Sequence, residues 1–186
     1  NAFFKVPSAV NEPVMAYAPG SAERKSVKEA LVKLKNTQVD IPMFIGNKKI
    51  FTDHKKTISP PHEHAHVLGT YSQGDSSHVK MAIDAALAAK SDWENMPWQD
   101  RAAIFLKAAD LLAGPYRATM NAATMLGQSK NIYQSEIDAV CELVDFFKFN
   151  VQYMTEMYAM QPESAKGIWN RLEYRPLEGF IFALTP

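Results

Sequence analysis

The sequence lacks the features that several classes of protein require. It has a single cysteine, Cys141, among its 186 residues, which excludes an intrachain disulfide and a cysteine-based zinc site. Lysine plus arginine and aspartate plus glutamate number 20 each, without the basic excess that is typical of nucleic-acid-binding proteins. No apolar run approaches the roughly 18 residues that a membrane span needs. We therefore expect no nucleic-acid partner and no membrane partner.

Common catalytic and nucleotide-binding motifs are also missing. The chain contains no Gly-x-Gly-x-x-Gly, no P-loop and no His-Glu-x-x-His. Its hydrophobic content of 47% is nevertheless enough for one core with an appendage at this length. The residues therefore indicate a globular α+β or α/β protein, but they do not identify a reaction that it catalyses.

The first part of the chain is predicted to be a β-rich leader. Residues 1–20 are rich in proline and lack periodicity, which indicates an extended arm, and a helix follows over 21–35. Apolar runs on both sides of residues 46–49 predict a β-hairpin. Two more strands are expected around residues 55–61 and 64–73, and Pro60-Pro61 are expected to prevent a regular ladder between them.

The middle of the chain is predicted to be helical. Apolar residues at helical spacing indicate four helices, over about 76–90, 98–113, 116–125 and 134–160. Each helix has one apolar stripe, so we expect the four to cover one another. An irregular stretch follows, and Phe180 to Leu184 are then typical of a buried strand. Its partner strands are not encoded in this sequence.

Three histidines form the first candidate site. His62, His64 and His66 occupy alternate positions, so in a strand they would face one side and offer a metal site. A polar strand face explains the same pattern, and no cluster of acidic or cysteine ligands follows within reach. We therefore assign no metal-binding residue.

The long fourth helix carries the other candidates. Cys141 lies on its apolar stripe, where a thiol is expected to be packed and protonated rather than nucleophilic. Glu142 heads a second row with aromatic residues and is either a half-buried carboxylate that holds an amine or a solvated helix-face residue. Glu136 and Asp138 are explained by the favourable field at the start of a helix. The aromatic row consists of Phe146, Phe149 and Tyr153.

Six stretches resemble the aldehyde dehydrogenase superfamily, and the resemblance runs over nearly all of the chain. They are NEPVMAYAPGSAER, HAHVLGTY, AIDAALAAKSDW, DRAAIFLKAADLLAGPYRA, TMLGQSKNIYQSEIDAVCELVDFFKFN and YRPLEGFIFALTP. The resemblance implies an α/β fold, the N-terminal part of the aldehyde dehydrogenase fold. It divides the chain into an arm, helix and hairpin-meander (1–74), a helical block of the NAD-binding domain (75–172) and the first strand of a Rossmann-like sheet (173–186).

The resemblance is closest to one branch of the superfamily, and it implies that branch's activity. This is the NAD-dependent oxidation of L-glutamate γ-semialdehyde, formed from pyrroline-5-carboxylate, to L-glutamate in proline catabolism. The branch implies a location in the mitochondrial matrix and a homodimer or larger homo-oligomer. The catalytic cysteine and glutamate are expected beyond Pro186, so these residues alone should be an inactive N-terminal portion.

The resemblance also implies binding residues within the chain. Leu184, Thr185 and Pro186 match strand-end residues that line the NAD cleft of the family, and Glu142 matches a carboxylate that contacts the substrate's amino group. The alternative is a non-catalytic protein that acts as an interaction module by pairing its strand with another sheet edge. A third hypothesis is a small helical domain that binds metal through its histidines.

Overall fold

The computed structural model describes residues 5–185. Five strands precede most of the helices: Val39–Ile41 (β1), Met43–Ile45 (β2), Lys48–Ile50 (β3), Lys55–Ile58 (β4) and Gly69–Ser72 (β5). The α-helices are Ala22–Lys35 (α1), Ser76–Asn95 (α2), Trp98–Ala113 (α3), Arg117–Gln128 (α4), Ile132–Ser135 (α5) and Glu142–Ala159 (α6). A π-helical turn, Glu136–Cys141, joins α5 to α6.

The predicted helices are confirmed, and their ends follow from local chemistry. Ser21 caps α1, because its side-chain oxygen accepts a hydrogen bond from the backbone N–H of Arg24. Asp75 caps α2 in a reciprocal arrangement with His78. Helix α2 extends beyond the expected Lys90 to Asn95, since the next helix-breaking residue is Pro97. Within residues 5–185, no helix is long and apolar enough to cross a membrane.

The strands form a hairpin and a mixed three-stranded sheet. Strands β2 and β3 pair antiparallel around a two-residue turn, which confirms the hairpin, and Gly46 has the positive φ of 56° that this turn needs. Strand β5 pairs with β1 in parallel and with β4 antiparallel. The prediction that Pro60-Pro61 would prevent a ladder is wrong. They lie after the end of β4 and therefore remove no hydrogen-bond donor from it.

The three histidines do not lie in a strand, so they do not share one face. They belong to the connection between β4 and β5. His62 Nδ1 lies 2.7 Å from the side-chain oxygen of Ser129, and His66 Nε2 donates to the carbonyl oxygen of Lys35 at 2.7 Å. These contacts attach the connection to the ends of α4 and α1. In the described part of the chain, no group of three potential metal ligands is found.

The helices pack in pairs rather than as an even four-helix bundle. Helix α1 packs on α4 around Tyr17, Val27 and Ala122, and α3 packs on α6 around Ala109 and Val144. Helix α2 contributes no fully buried residue. The expectation that the four predicted helices cover one another therefore holds for α3, α4 and α6, but not for α2. Helix α1, which was not part of that expectation, packs on α4.

The C-terminal segment differs from the sequence-based expectation. Residues 173–185 form neither strand nor helix, and Ile181, Phe182 and Leu184 are 78%, 79% and 86% exposed. A strand is held by backbone hydrogen bonds to neighbouring strands, and none of the strands within residues 5–185 pairs with this segment. The apolar character of a buried strand is present, but its hydrogen-bonding partners are not.

A substitution at Gly69 would test how closely β5 packs against β1. A Cβ atom at Gly69 would lie 2.1 Å from the carbonyl oxygen of Val39, whereas one at Gly127 in α4 would meet nothing within 4 Å. We expect Gly69→Ala to lower the free energy of unfolding by about 2 kcal/mol, because the strands must separate. The control Gly127→Ala should raise it by about 0.5–1 kcal/mol, since alanine favours the helix. Urea unfolding measures both, and a neutral Gly69→Ala would contradict the register.

Candidate functional site

The long predicted helix is continuous from Ile132 to Ala159, with a π-helical turn inside it. In an α-helix, residues five apart lie about 140° apart around the axis. The i→i+5 hydrogen bonds of a π-helix bring such residues onto one side. Glu136 and Cys141 accordingly face the same interior, and Cys141 Sγ lies 3.8 Å from Glu136 Oε1. The turn thus lets this side chain pair point inward together.

Glu136 is the most deeply buried carboxylate of the described residues, with 0% exposure. It accepts hydrogen bonds from the Tyr17 hydroxyl at 2.7 Å and the backbone N–H of Met15 at 3.0 Å. Asn121 Nδ2 donates at 2.8 Å and Arg117 Nε at 3.1 Å. Burial alone would raise the pKa of the Glu136 carboxyl, but the guanidinium and the other donors outweigh it, so the pKa lies below its usual value. Glu136 is therefore a buried anion.

The sequence-based interpretation of Glu136 as a helix-start residue missed this burial. A signal was present, because Glu136, Val140 and Val144 follow one another at intervals of four, which places them on one helix face. All three have 0% exposure. An acidic residue in line with an apolar stripe is the pattern that could have identified it. Asp138, by contrast, is exposed and pairs with Lys130 at 2.9 Å, as expected for a surface residue.

Arg117 connects the buried carboxylate to the N-terminal arm. Its Nη1 atom donates to Glu12 Oε1 at 2.7 Å, and its Nη2 atom donates to the carbonyl oxygen of Pro13 at 2.7 Å. The other oxygen of Glu12 accepts from Lys148 Nζ at 2.8 Å. Burial would raise the pKa of Glu12, but the two cations hold it below its usual value. The charges in this network are therefore matched by partners in the same chain.

Cys141 is buried and free of disulfide bonding, which confirms the packed thiol that the sequence predicts. Burial raises its pKa to about 11, and the negative charge of Glu136 adds to this effect. The nearby Arg117 guanidinium, 3.5 Å from Sγ, acts in the opposite direction but does not prevail. A thiol with this pKa is protonated at neutral pH and is a poor nucleophile.

Glu142 lies beside a cavity of about 700 Å³ between the arm and α6. The aromatic row that the sequence predicts, namely Phe146, Phe149 and Tyr153, lines this cavity together with Val14 and Ile137. Glu142 itself is exposed. Among residues 5–185 it forms no ion pair. The arrangement places a carboxylate with free acceptor capacity at the edge of an aromatic cavity.

The residues that the resemblance assigned to a nucleotide cleft lie in the C-terminal segment. Leu184 and Thr185 are exposed and outside regular secondary structure. Pro186 lies outside the described residues. Leu184 and Thr185 therefore do not enclose a ligand by themselves, and the structure does not bring them together with Glu142.

Comparison with known proteins gives consistent matches. The sequence model described as "Aldehyde dehydrogenase family" matches residues 51–186. The chain is 50% identical to a delta-1-pyrroline-5-carboxylate dehydrogenase of Agaricus bisporus, over 100% of this chain and 34% of the relative. It is 46% identical to the mitochondrial protein of that name from Emericella nidulans, over 100% and 32% respectively. The chain thus spans about a third of the length of the curated relatives it matches.

Solved structures agree with the sequence comparison. The structure of the delta-pyrroline-5-carboxylate dehydrogenase of Mycobacterium tuberculosis bound with NAD superposes with a TM-score of 0.95. The two sequences are 48% identical, and the match covers 97% of this chain and 34% of the other.

The buried carboxylate generates a stability prediction. Glu136→Ala should lower the free energy of unfolding by about 3–5 kcal/mol, because it leaves the Arg117 guanidinium buried without its main partner. Asp138→Ala removes an exposed carboxylate two residues away and should cost at most about 1 kcal/mol. Guanidinium unfolding of both variants measures the difference. Equal losses would mean that the buried pair does not stabilise the fold.

Proposed function

This chain belongs to the aldehyde dehydrogenase family, and on that premise we propose that it serves the NAD-dependent oxidation of L-glutamate γ-semialdehyde to L-glutamate. The semialdehyde is the open form of pyrroline-5-carboxylate, and the reaction is a step of proline catabolism. Support comes from relatives named delta-1-pyrroline-5-carboxylate dehydrogenase, which align along the whole chain at 50% and 46% identity. The observation that carries the proposal is the carboxylate of Glu142 at the edge of the aromatic cavity.

The proposal gives Glu142 the role of binding the substrate's ammonium group. A carboxylate and an ammonium form a charge-assisted hydrogen bond, which is stronger than one between neutral groups. Lys148 and Arg117 pair with Glu12, which lines the same cavity, and not with Glu142. An aldehyde without an amino group would lose this contact, so Glu142 favours an amino acid aldehyde over a simple one.

The proposal assigns no catalytic residue to these 186 residues. In this family chemistry, a cysteine thiolate attacks the aldehyde and a glutamate acts as general base. Cys141 is the single cysteine of the sequence, and its buried, protonated thiol is unsuited to that attack. The nucleophile and the general base are therefore placed in other residues of the active enzyme.

We propose NAD as the cofactor, and a solved relative described as bound with NAD supports this. When bound, NAD accepts the hydride that the oxidation of the aldehyde releases. The residues expected to contact it are Leu184, Thr185 and Pro186. The described ones among them are exposed and do not form a dinucleotide cleft within this chain, so no step is derived from them.

A mitochondrial location, in the matrix, and a homo-oligomeric state are part of the same proposal. Relatives from Emericella nidulans, Dictyostelium discoideum and mouse are named mitochondrial, which supports the location. The exposed apolar side chains of Ile181, Phe182 and Leu184 favour one second candidate, an interaction module that pairs this segment with another sheet edge. An activity measurement separates the two.

The first test measures turnover by the 186 residues alone. We expect no aldehyde-dependent formation of NADH, because Cys141 is protonated and no other thiol is available. An active enzyme that carries these residues together with the family's catalytic residues should form NADH from the semialdehyde. Turnover by the 186 residues alone would overturn the placement of the catalytic residues, and no turnover in either sample would favour the interaction module.

The second test concerns Glu142 in an active enzyme that carries this chain. Glu142→Ala should raise KM for the semialdehyde by about tenfold, since one charge-assisted contact is lost. KM for NAD should change little. Asp138→Ala, an exposed carboxylate on the same continuous helix, is the matched control and should leave both values unchanged. Equal increases in both KM values for Glu142→Ala would indicate a structural role instead.

A further inference from the structure

The N-terminal arm is attached to the long helix at regular intervals. The backbone N–H of Ala9 donates to Gln152 Oε1 at 2.7 Å, and that of Glu12 donates to Asp145 Oδ1 at 2.6 Å. The backbone N–H of Met15 donates to Glu136 Oε1 at 3.0 Å. Every third N–H of the arm thus binds a helix side chain, and the arm runs antiparallel to the helix.

The spacings of the first two attachments are similar along the arm and along the helix. Three residues of an extended polyproline-type chain advance about 9.3 Å, and the seven-residue step from Asp145 to Gln152 advances about 10.5 Å along an α-helix. The nine-residue step from Glu136 to Asp145 is longer and includes part of the π-helical turn. The arm contains Pro7 and Pro13, which favour that extended conformation. Residues 5–18 accordingly contain no helix or strand. The arm is therefore placed by its backbone, along a defined face of the helix.

Asp145 differs from the other two attachment residues because it also lines the cavity beside Glu142. Its second oxygen accepts a hydrogen bond from Asn11 Nδ2 at 2.7 Å. Both oxygens are thus occupied by the arm, one by a side chain and one by the backbone. Asn11, Glu12 and Val14 line the same cavity. Gln152 does not belong to the cavity lining.

We propose that residues 11–14 of the arm, which we call the arm wall, form one wall of the substrate pocket and that Asp145 is the positioning residue that holds them. The inference rests on the proposed role of Glu142. Glu142 and Asp145 are three residues apart on α6, so they share one helix face. Each oxygen of Asp145 accepts one hydrogen bond from the arm wall, and the two oxygens of Glu12 pair with Lys148 and Arg117. Among the described residues, no hydrogen bond to the Glu142 carboxylate is found, so it is the carboxylate of this cavity that we assign to the ammonium group.

The arm wall therefore determines the width of the pocket opposite Glu142. If it moves away, the cavity opens to water, and the ammonium is bound less tightly because its position is no longer fixed. The substrate class that follows is an aldehyde with an amino group that reaches Glu142 while its carbon chain lies against the aromatic row and the arm wall. The KM for a simple aldehyde without an amino group should therefore not depend on the position of the arm wall.

The test uses Asp145→Ala in an active enzyme that carries this chain. We expect KM for L-glutamate γ-semialdehyde to rise about tenfold, as for a displaced positioning group. Both kcat and the KM for NAD should stay near their original values. The KM for propanal, which has no amino group, should change less than about twofold by the same argument.

Two further variants serve as a matched control and as a milder substitution at the same contact. Gln152→Ala removes an arm hydrogen bond of the same kind outside the cavity, so its KM for the semialdehyde should stay within about twofold of the original. Asn11→Ala removes one of the two bonds to Asp145 from an exposed residue and is expected to fold even if Asp145→Ala does not. It should raise KM for the semialdehyde by an intermediate factor.

The outcomes separate this inference from the proposed function. If Asp145→Ala and Asn11→Ala resemble Gln152→Ala while Glu142→Ala still raises KM, the inference is overturned and the role of Glu142 stands. Equal increases in KM for the semialdehyde and for propanal would also overturn it, because they would indicate a general distortion. If Glu142→Ala has no effect on KM, the proposed function itself fails.

Discussion

The ion pair between Arg117 and Glu136 is the interaction on which the rest of the structure depends. Both side chains are nearly inaccessible to water, so neither charge can lose its partner without a large cost. Arg117 comes from α4, Glu136 from the long helix, and their remaining hydrogen bonds go to the arm and to Tyr17. Three segments that are distant in sequence are thus fixed to one another by a single charged centre. Apolar packing between α1 and α4 and between α3 and α6 fills the space around it.

The helix that contains Glu136 also carries the proposed binding residue, Glu142. Glu136 and Glu142 are both carboxylates on one continuous helix, but the first is buried and paired while the second is exposed. This difference of environment gives each a different role, because a buried carboxylate stabilises an interior whereas an exposed one with free acceptor capacity can receive a ligand. The arm, which Glu136 and Asp145 hold through its backbone, contributes the opposite side of the cavity.

Much of this architecture follows from local sequence patterns. Helices α1 and α3, the hairpin around Gly46 and the aromatic row beside Glu142 all appear where periodicity and turn residues predict them. The fold class, the N-terminal part of the aldehyde dehydrogenase fold, is confirmed by the solved relative, while the division into three domains stays a prediction. Patterns could not give the pairing of β4 with β5, the burial of Glu136 or the path of the arm, because each depends on contacts between residues far apart in the chain. The strand expected over residues 180–184 shows the same limit, since pairing needs a neighbour that periodicity does not supply.

The π-helical turn has a consequence for how this segment can vary. The turn accommodates one residue more than an α-helix of the same number of turns. Loss of one residue between Glu136 and Glu142 would therefore shorten it to an ordinary α-helix and leave the side chains on either side near their present directions. Conversion of the turn to an α-helix with its length unchanged would instead rotate every later side chain by about 100° relative to those before it. The π-helical turn thus sets the angle between the buried carboxylate of Glu136 and the exposed carboxylate of Glu142.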